Sequence, residues 1–247
     1  MKKENKTMKM VLTISALALI LGLVGYTGGN TFAKYASATN HQSESATVAK
    51  WGVTLTANGK LFSTDYGVSG TGTNILATKD GNTLVVEAAG TSEVVAPGTT
   101  GSMTLFVTGA PEVNYEVTYD GSGSDIYVPA NTVAGVAVDY YPIIWTVNNG
   151  TTSEKFNTVA GVHTYLSEQL HHGEVCAANV AIGDKTTYTI SWAWQFDGAY
   201  SFDETSLTAE QVDLLDTYLG DQSKLQTVKF GFNLKVEQSQ KEATYTG

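Results

Sequence analysis

At residues 188–196 the chain reads YTISWAWQF, in which large apolar side chains alternate with small or polar ones. This period of two predicts a β-strand with one buried face. Similar alternating runs occur elsewhere in the chain, at Val53–Ala57, Leu84–Val86, Ser102–Thr108, Glu112–Tyr119, Ile143–Val147 and Val228–Val236. Because so many short strands follow one another, the sequence predicts a mainly β fold, an antiparallel β-sandwich or jelly roll.

Dipeptides typical of tight turns lie around these runs. Asn-Gly and Asp-Gly supply the positive φ that hairpins require, so we expect the strands to end at them. The candidate turns are Asn58-Gly59, Asp80-Gly81, Pro97-Gly98, Asp120-Gly121, Asn149-Gly150 and Asp197-Gly198.

Two segments break the alternation and predict short helices in crossover segments. Thr208, followed three residues later by Gln211, forms a capping-box start, and Gly220 is the expected stop. An apolar stripe lies between them at Val212, Leu215 and Leu219. A second helix is expected over Val162–His172, ending at Gly173. Since no linker or internal repeat separates the elements, residues 48–240 are predicted to form a single β-sandwich domain.

The N-terminus has the features of a helical secretory signal peptide. Basic Met1–Lys9 precedes the apolar run Val11–Tyr26, which is shorter than the ~20 residues that span a bilayer comfortably. Small side chains at Thr31 and Ala33 predict cleavage between Ala33 and Lys34. The alternative is an uncleaved anchor.

Cleavage would release a chain that begins with the polar arm 34–47 and ends with a tail, 241–247. It has no second apolar run and no LPxTG-type sorting pentapeptide. We therefore expect a secreted protein that is not held by a membrane after cleavage.

The composition excludes several classes of protein. The 247 residues include 14 lysines and no arginine against 24 acidic residues, giving a net charge of −10. Without residues 1–33, ten lysines face 23 acidic residues, a net −13. Such a surface repels phosphate backbones, so no nucleic-acid partner is expected. The single Cys176 excludes an intrachain disulfide and a four-cysteine zinc site.

The densest group of titratable residues is His171-His172-Gly-Glu174-Val-Cys176. If it formed one strand, His172, Glu174 and Cys176 would point to one face, and imidazole with thiolate suits a soft metal ion. The alternative is the C-terminus of a helix, where histidines favour the dipole, followed by a buried cysteine. The spacing matches no standard zinc motif.

Two further stretches each allow a functional and a structural interpretation. Asp120-Gly-Ser-Gly-Ser-Asp125 has oxygen ligands at alternate positions, as calcium loops do, but a solvated hairpin turn is favoured. Trp192, Trp194 and Phe196 share one face of a strand, either as a sugar-binding platform or, as we favour, as sandwich core.

No nucleophile elbow, H-E-x-x-H helix, P-loop or dinucleotide fingerprint occurs in the sequence. The carboxylates of Asp197, Asp203 and Glu204 cannot be assigned as a catalytic acid and base pair. The sequence therefore favours a protein that is not an enzyme and that needs no cofactor.

Ala33-Lys34-Tyr35-Ala-Ser and then Ala46-Thr-Val-Ala-Lys-Trp51 resemble the mature start of secreted Firmicutes proteins with SipW-type signal peptides, the TasA/camelysin-like family. Val95-Ala-Pro-Gly98-Thr-Thr-Gly-Ser102 is similar to the family's APGxxGS turn. Tyr188–Trp194 with Asp213–Gly220 is similar to its W-x-W…DT-x-LG stretch. In order, these matches run from the signal to about Val236.

This resemblance implies a sandwich or jelly-roll protein trimmed by a dedicated signal peptidase and assembled into biofilm matrix fibres of a Gram-positive bacterium. Its partners would be copies of itself or related matrix subunits. The N-terminal arm of one subunit, here including Tyr35, Ala36 and Ala38, would complete a sheet of the next by β-augmentation. The more apolar Val48–Thr56 is either the real partner strand in place of the arm or simply the first strand of the fold. Two hypotheses compete with this one: a surface module that binds glycan or a host receptor, and a camelysin-like metalloprotease.

Overall fold

The computed structural model describes residues 49–62, 75–80, 83–88, 95–222 and 226–247. They belong to one compact unit, Val48–Gly247. Their strands are β1 (Thr54–Lys60), β2 (Ile75–Asp80), β3 (Thr83–Ala88), β4 (Thr100–Thr108), β5 (Tyr115–Ser124), β6 (Ile143–Asn148), β7 (Ser153–Phe156), β8 (Val175–Cys176), β9 (Thr187–Trp194), β10 (Tyr200–Phe202), β11 (Thr205–Leu207) and β12 (Lys229–Gln238). Their helices are α1 (Val159–Gln169) and α2 (Ala209–Gly220).

Ten of these strands form two antiparallel sheets. Sheet I has the strand order β1-β4-β9-β6-β7, and sheet II has the order β2-β3-β12-β5-β8. β10 and β11 pair separately as a hairpin. The longest ladder joins β5 and β12 over ten positions, from Tyr115 opposite Gln238 to Ser124 opposite Lys229.

The two sheets bury their facing side chains in one continuous core. Buried residues alternate with more exposed ones along β4, β5 and β9, as expected when one face of each sheet is covered. Trp145 of sheet I stacks on Phe230 of sheet II with ring centroids 5.2 Å apart. The prediction of an antiparallel β-sandwich is confirmed. The jelly roll, its more specific form, stays a prediction.

The two sides of the sandwich are closed differently. On one side β1, at the margin of sheet I, lies against β2, at the margin of sheet II. On the other side β7 and β8 are the marginal strands. There α1 contacts β5 of sheet II together with β6 and β7 of sheet I, so this helix fills the gap between the sheets.

Some predicted turns are confirmed and others are wrong. Asn149-Gly150 joins β6 to β7, and the Asn149 side chain accepts hydrogen bonds from the backbone of Thr151 and Thr152. Asn58-Gly59, by contrast, lies inside β1. Gly59 is opposite Met103 of β4, where a Cβ atom would lie 2.6 Å from the Met103 Cα. The glycine is needed there for close approach of two strands.

α1 begins and ends three residues before its predicted limits. The Thr158 side chain caps its N-terminus by accepting a hydrogen bond from the Gly161 N–H at 3.2 Å. Its buried residues are Val159, Val162 and Leu166. The helix cannot continue to His172 because His171 has a left-handed backbone, with φ of 54°.

α2 matches its prediction closely. Both hydrogen bonds of the capping box between Thr208 and Gln211 are present, and the buried residues are the predicted stripe, Val212, Leu215 and Leu219. Gly220 is the last helical residue rather than the stop beyond the helix, and Asp221 is the C-cap.

Candidate functional site

The predicted metal-binding residues do not converge on one centre. His171 Nε2 lies 3.1 Å from Asp184 Oδ1, and its Nδ1 lies 3.8 Å from Glu174 Oε2. His172 instead turns its Nδ1 to the backbone N–H of Tyr119, which donates to it at 3.0 Å. Within the described ranges no three His, Cys, Asp or Glu residues are arranged to hold a metal ion.

Residues 172–176 do not form the single strand that the metal-binding hypothesis required, which explains why these side chains separate. β8 consists of Val175 and Cys176 only, and the preceding residues form the turn that leaves α1. His171 and His172 are therefore where the alternative interpretation expected them, immediately after a helix. Cys176 is the buried cysteine that enters the strand.

Cys176 and its neighbour Tyr115 are held in their neutral forms. Burial raises the pKa of the Cys176 thiol, and the interaction with the Tyr115 side chain opposes that shift only in part. Burial also raises the pKa of the Tyr115 hydroxyl, which donates to the carbonyls of Val180 and Ala181 at 3.2 and 2.9 Å. Since the thiolate is the nucleophilic form of cysteine, this pair is suited to packing rather than to catalysis.

The aromatic residues of β9 belong to the core. Trp192 and Trp194 are buried, and so is Trp145 on the neighbouring strand β6. Trp192 Nε1 donates to the carbonyl of Leu61 at 2.6 Å. Phe196 departs from this pattern because β9 ends at Trp194, and its side chain is 74% exposed. The core interpretation is confirmed for the two tryptophans and is wrong for Phe196.

Asp216 is a structural residue that sequence reasoning missed. It accepts hydrogen bonds from the Tyr140 hydroxyl at 2.8 Å and from Trp194 Nε1 at 3.2 Å. Burial raises the pKa of its carboxyl group, although these two hydrogen bonds oppose the rise. Its position one residue after the buried Leu215 is a signal in the sequence, since it places Asp216 beside the buried stripe of α2.

The stretch Asp120–Asp125 is neither a calcium loop nor a hairpin turn. Asp120 to Ser124 continue β5, paired with β12. A Cβ atom at Gly121 would overlap the ring of His163, and one at Gly123 would lie 2.5 Å from Val159 Cγ1. The two glycines thus leave the groove into which α1 packs.

Asp125, at the end of this stretch, holds the start of α1. Its Oδ1 accepts a hydrogen bond from the Val159 N–H at 2.8 Å. A carboxylate at this end of a helix also interacts favourably with the helix dipole. Asp125 is therefore a second cap for α1, contributed by β5 and the residue that follows it.

The margin of sheet II at β8 is covered by the C-terminus of the chain. The N–H groups of Thr244 and Tyr245 donate to the carbonyl of Val175 at 2.8 and 3.1 Å, and the Ala177 N–H donates to the carbonyl of Tyr245 at 2.9 Å. The pairing is parallel, with Tyr245 beside Cys176. We call Ala243–Thr246 the C-terminal segment. It occupies a strand position next to β8.

The Tyr245 ring is fixed by His171. The two rings stack with centroids 3.9 Å apart and an angle of 26° between their planes. His171, its two carboxylate neighbours and Tyr245 therefore form one cluster at the β8 margin. This margin is the candidate functional site, because the margin of a sheet is where a further strand can add, here in place of the C-terminal segment.

The remaining predicted residues lie outside the described ranges. These are Ala33 and Lys34 at the expected cleavage point, and Tyr35, Ala36 and Ala38 in the arm. Neither α1 nor α2, the helices of the described part, has the length and apolar character of a membrane span.

The comparisons with known proteins identify no relative. No family model matches the chain, and neither a curated protein nor a solved structure matches it.

Proposed function

We propose that this protein is a secreted structural subunit that assembles into extracellular matrix fibres, with the arm 34–47 of one copy adding to a sheet of the next. Three observations support the proposal: the predicted signal peptide, the family resemblance, and a β-sandwich whose sheets end in marginal strands. A strand added at such a margin gains main-chain hydrogen bonds, and its alternate side chains set the register.

The observation that carries the proposal is the fixed point at which the chain enters the sandwich. The Lys50 N–H donates to Glu112 Oε2 at 2.9 Å, and its carbonyl accepts from the Glu112 N–H at 3.0 Å. β1 begins four residues later. The polar arm therefore precedes an anchored residue of the folded unit, as an arm used between subunits requires.

The roles of the conspicuous side chains also favour a structural protein. His171 stacks on Tyr245, Cys176 is buried in β8, and Asp216 connects α2 to Tyr140 and Trp194. Each of these contacts stabilises the fold. The competing binding-module hypothesis requires exposed aromatic rings, whereas Trp192 and Trp194 of the suggested sugar-binding platform are buried.

Removing the arm is the direct test. We expect purified Lys34–Gly247 to form filaments in negative-stain electron microscopy and to sediment as large particles. Val48–Gly247 should remain monomeric with an unchanged circular dichroism spectrum. Filaments formed equally well by both chains would refute the role of the arm.

A double substitution in the arm tests whether assembly depends on its backbone hydrogen bonds or only on its amino-acid composition. Neighbouring residues of a strand direct their N–H groups to opposite sides, so Ala36→Pro with Ser37→Pro removes a donor on each side. The matched control exchanges the two residues, Ala36→Ser with Ser37→Ala, and keeps both N–H groups. We expect filaments from the control and none from the proline variant.

A further inference from the structure

The C-terminal segment reaches β8 by crossing the end of β5. After β12 ends at Gln238, the Ser239 N–H donates to the carbonyl of Asn114 at 2.9 Å. The Asn114 side chain in turn donates to the carbonyl of Lys241 at 3.2 Å, and the Lys241 ammonium lies 3.0 Å from Glu116 Oε2. The chain thus passes beyond its own neighbour strand to the margin of sheet II.

The contact it makes there is short. Three backbone hydrogen bonds, one bond from the Val175 N–H to Thr244 Oγ1 and one ring stack hold the segment. β5 and β12, by comparison, pair over ten positions. A longer strand that offered the same contacts could therefore replace the C-terminal segment.

The arm has the composition needed to do so. Tyr245 is the only aromatic residue of the C-terminal segment and stands among alanine and threonines. Tyr35 is likewise the only aromatic residue of the arm and is followed by alanine, serine and threonine. Fully extended, residues 34–47 span roughly 45–50 Å, enough to reach a neighbouring copy.

Charge and the other margins also favour β8. Glu174 and Asp184 beside His171 are about half exposed, with side-chain exposures of 48% and 44%, and Lys34 of an arm would meet opposite charge there. β7, the neighbouring margin of sheet I, carries exposed Glu154 and Lys155, the kind of charged edge that resists pairing. β1 and β2 lie against each other.

We infer that the β8 margin accepts the arm of a second copy, and that the C-terminal segment occupies this position in the free subunit until the arm displaces it. This inference rests on the proposed function and adds to it the acceptor surface and a restraint on assembly. Because the restraint is intramolecular, it is present at every protein concentration and delays the first contacts between subunits.

The single cysteine allows the restraint to be locked reversibly. Tyr245 is the bridge partner of Cys176, so Tyr245→Cys places two thiols on neighbouring strands and permits a disulfide across the margin. Tyr245→Ser is the matched control, since it loses the ring but forms no disulfide. Both are tested in the chain Lys34–Gly247, with filament growth followed by light scattering and electron microscopy.

We expect the oxidised Tyr245→Cys protein to show a lag before filament growth about tenfold or more longer than that of the same protein when reduced. The disulfide prevents the arm from displacing the C-terminal segment, and a free-energy difference of one or two net hydrogen bonds corresponds to about a tenfold change. Intact mass and a non-reducing gel verify the intramolecular disulfide. Three proteins should assemble faster than the wild type: reduced Tyr245→Cys, Tyr245→Ser and a chain ending at Glu242.

The outcomes separate the two proposals. Normal filaments whose lag is the same in locked and reduced protein would overturn the inference and leave the proposed function intact. If the disulfide does not form, the chain ending at Glu242 decides, because an unchanged lag overturns the inference. Loss of filaments on this truncation also overturns it, since the segment would then be required. Absence of filaments from every chain, wild type included, overturns both.

Discussion

At the scale of single residues, Asp216 connects a helix to two aromatic side chains. Asp216→Ala would leave the Tyr140 hydroxyl and Trp194 Nε1 without their acceptor. We expect it to lower the free energy of unfolding by about 1–3 kcal/mol, the cost of unsatisfied buried donors. Asp216→Asn keeps an acceptor oxygen and should cost less. Urea unfolding at pH 7 measures both.

The same pair of variants tests the electrostatic effect of this site. Burial raises the pKa of Asp216, so the folded state binds a proton more tightly than the unfolded state. The contribution of Asp216 to stability should therefore decrease as the pH rises from 3.8, the ordinary pKa of an aspartate, through the raised pKa of Asp216 in the folded protein. Asp216→Asn should lack this decrease. An Asn variant with the wild-type pH profile would contradict the assignment.

Gly121 and Gly123 are predicted to tolerate no side chain. Gly121→Ala forces a methyl group into the ring of His163, and overpacking of this kind costs about 1–3 kcal/mol. Gly220→Ala is the matched control because its methyl group meets open space at the end of α2, where alanine is the better helix former. Thermal unfolding should show the first variant destabilised and the second equal to or above the wild type.

At the scale of elements, the docking of α1 should weaken in acid. Neutral His163 accepts from the Tyr119 hydroxyl at 2.7 Å and donates to the Ser122 carbonyl at 3.2 Å, while its ring stacks on Phe230. Burial lowers the pKa of His163, so the unfolded chain binds the proton more readily and stability decreases as the pH falls below about 6.5.

Hydrogen exchange of the α1 amides at pH 7.5 and 5.5 tests this expectation. The wild type should lose protection at pH 5.5 by more than His163→Gln, which carries no titrating ring in the same place. Equal losses in the two proteins would assign the pH dependence to other groups.

The sequence predicted elements well where the signal is local. The capping box of α2 and the alternation of β9 depend on residues within a few positions of one another, and both are confirmed. Asp120–Asp125 was misinterpreted because its glycines face a helix that begins at Val159, 34 residues after Asp125. Asn58-Gly59 fails for the same reason, since Gly59 is fitted to a partner strand.

The candidate site was less predictable than the fold. The sequence indicates His171 and Cys176 as possible metal ligands, whereas in the structure His171 stacks on Tyr245 and Cys176 is the bridge partner of Tyr245, a residue far along the chain. No local pattern in the last residues indicates that they pair with β8. Only the arrangement of sheet II, with β12 and β8 on either side of β5, brings the C-terminus to this margin.

At the scale of the whole molecule, like charges should slow association. The chain from Lys34 onward has ten lysines and 23 acidic residues, so copies repel one another at low ionic strength. We expect the lag of filament growth to shorten as sodium chloride rises from about 20 to 300 mM, because the screening length falls well below 10 Å at the upper end. Val48–Gly247, without an arm, should stay monomeric throughout this range.

In the proposed fibre, the arm that precedes Lys50 is the donor and the β8 margin, which the C-terminal segment covers, is the acceptor. The two are therefore different surfaces of one subunit. Repetition of an unlike pair of surfaces gives an open array with two distinguishable ends, and it cannot close as a symmetric dimer does. Subunits that lack residues 34–47 would still bind the arm of a neighbouring copy at their β8 margin, but they would have no arm to bind the next copy. Added in small amounts, they should terminate growth at one pole only and leave the other free to elongate.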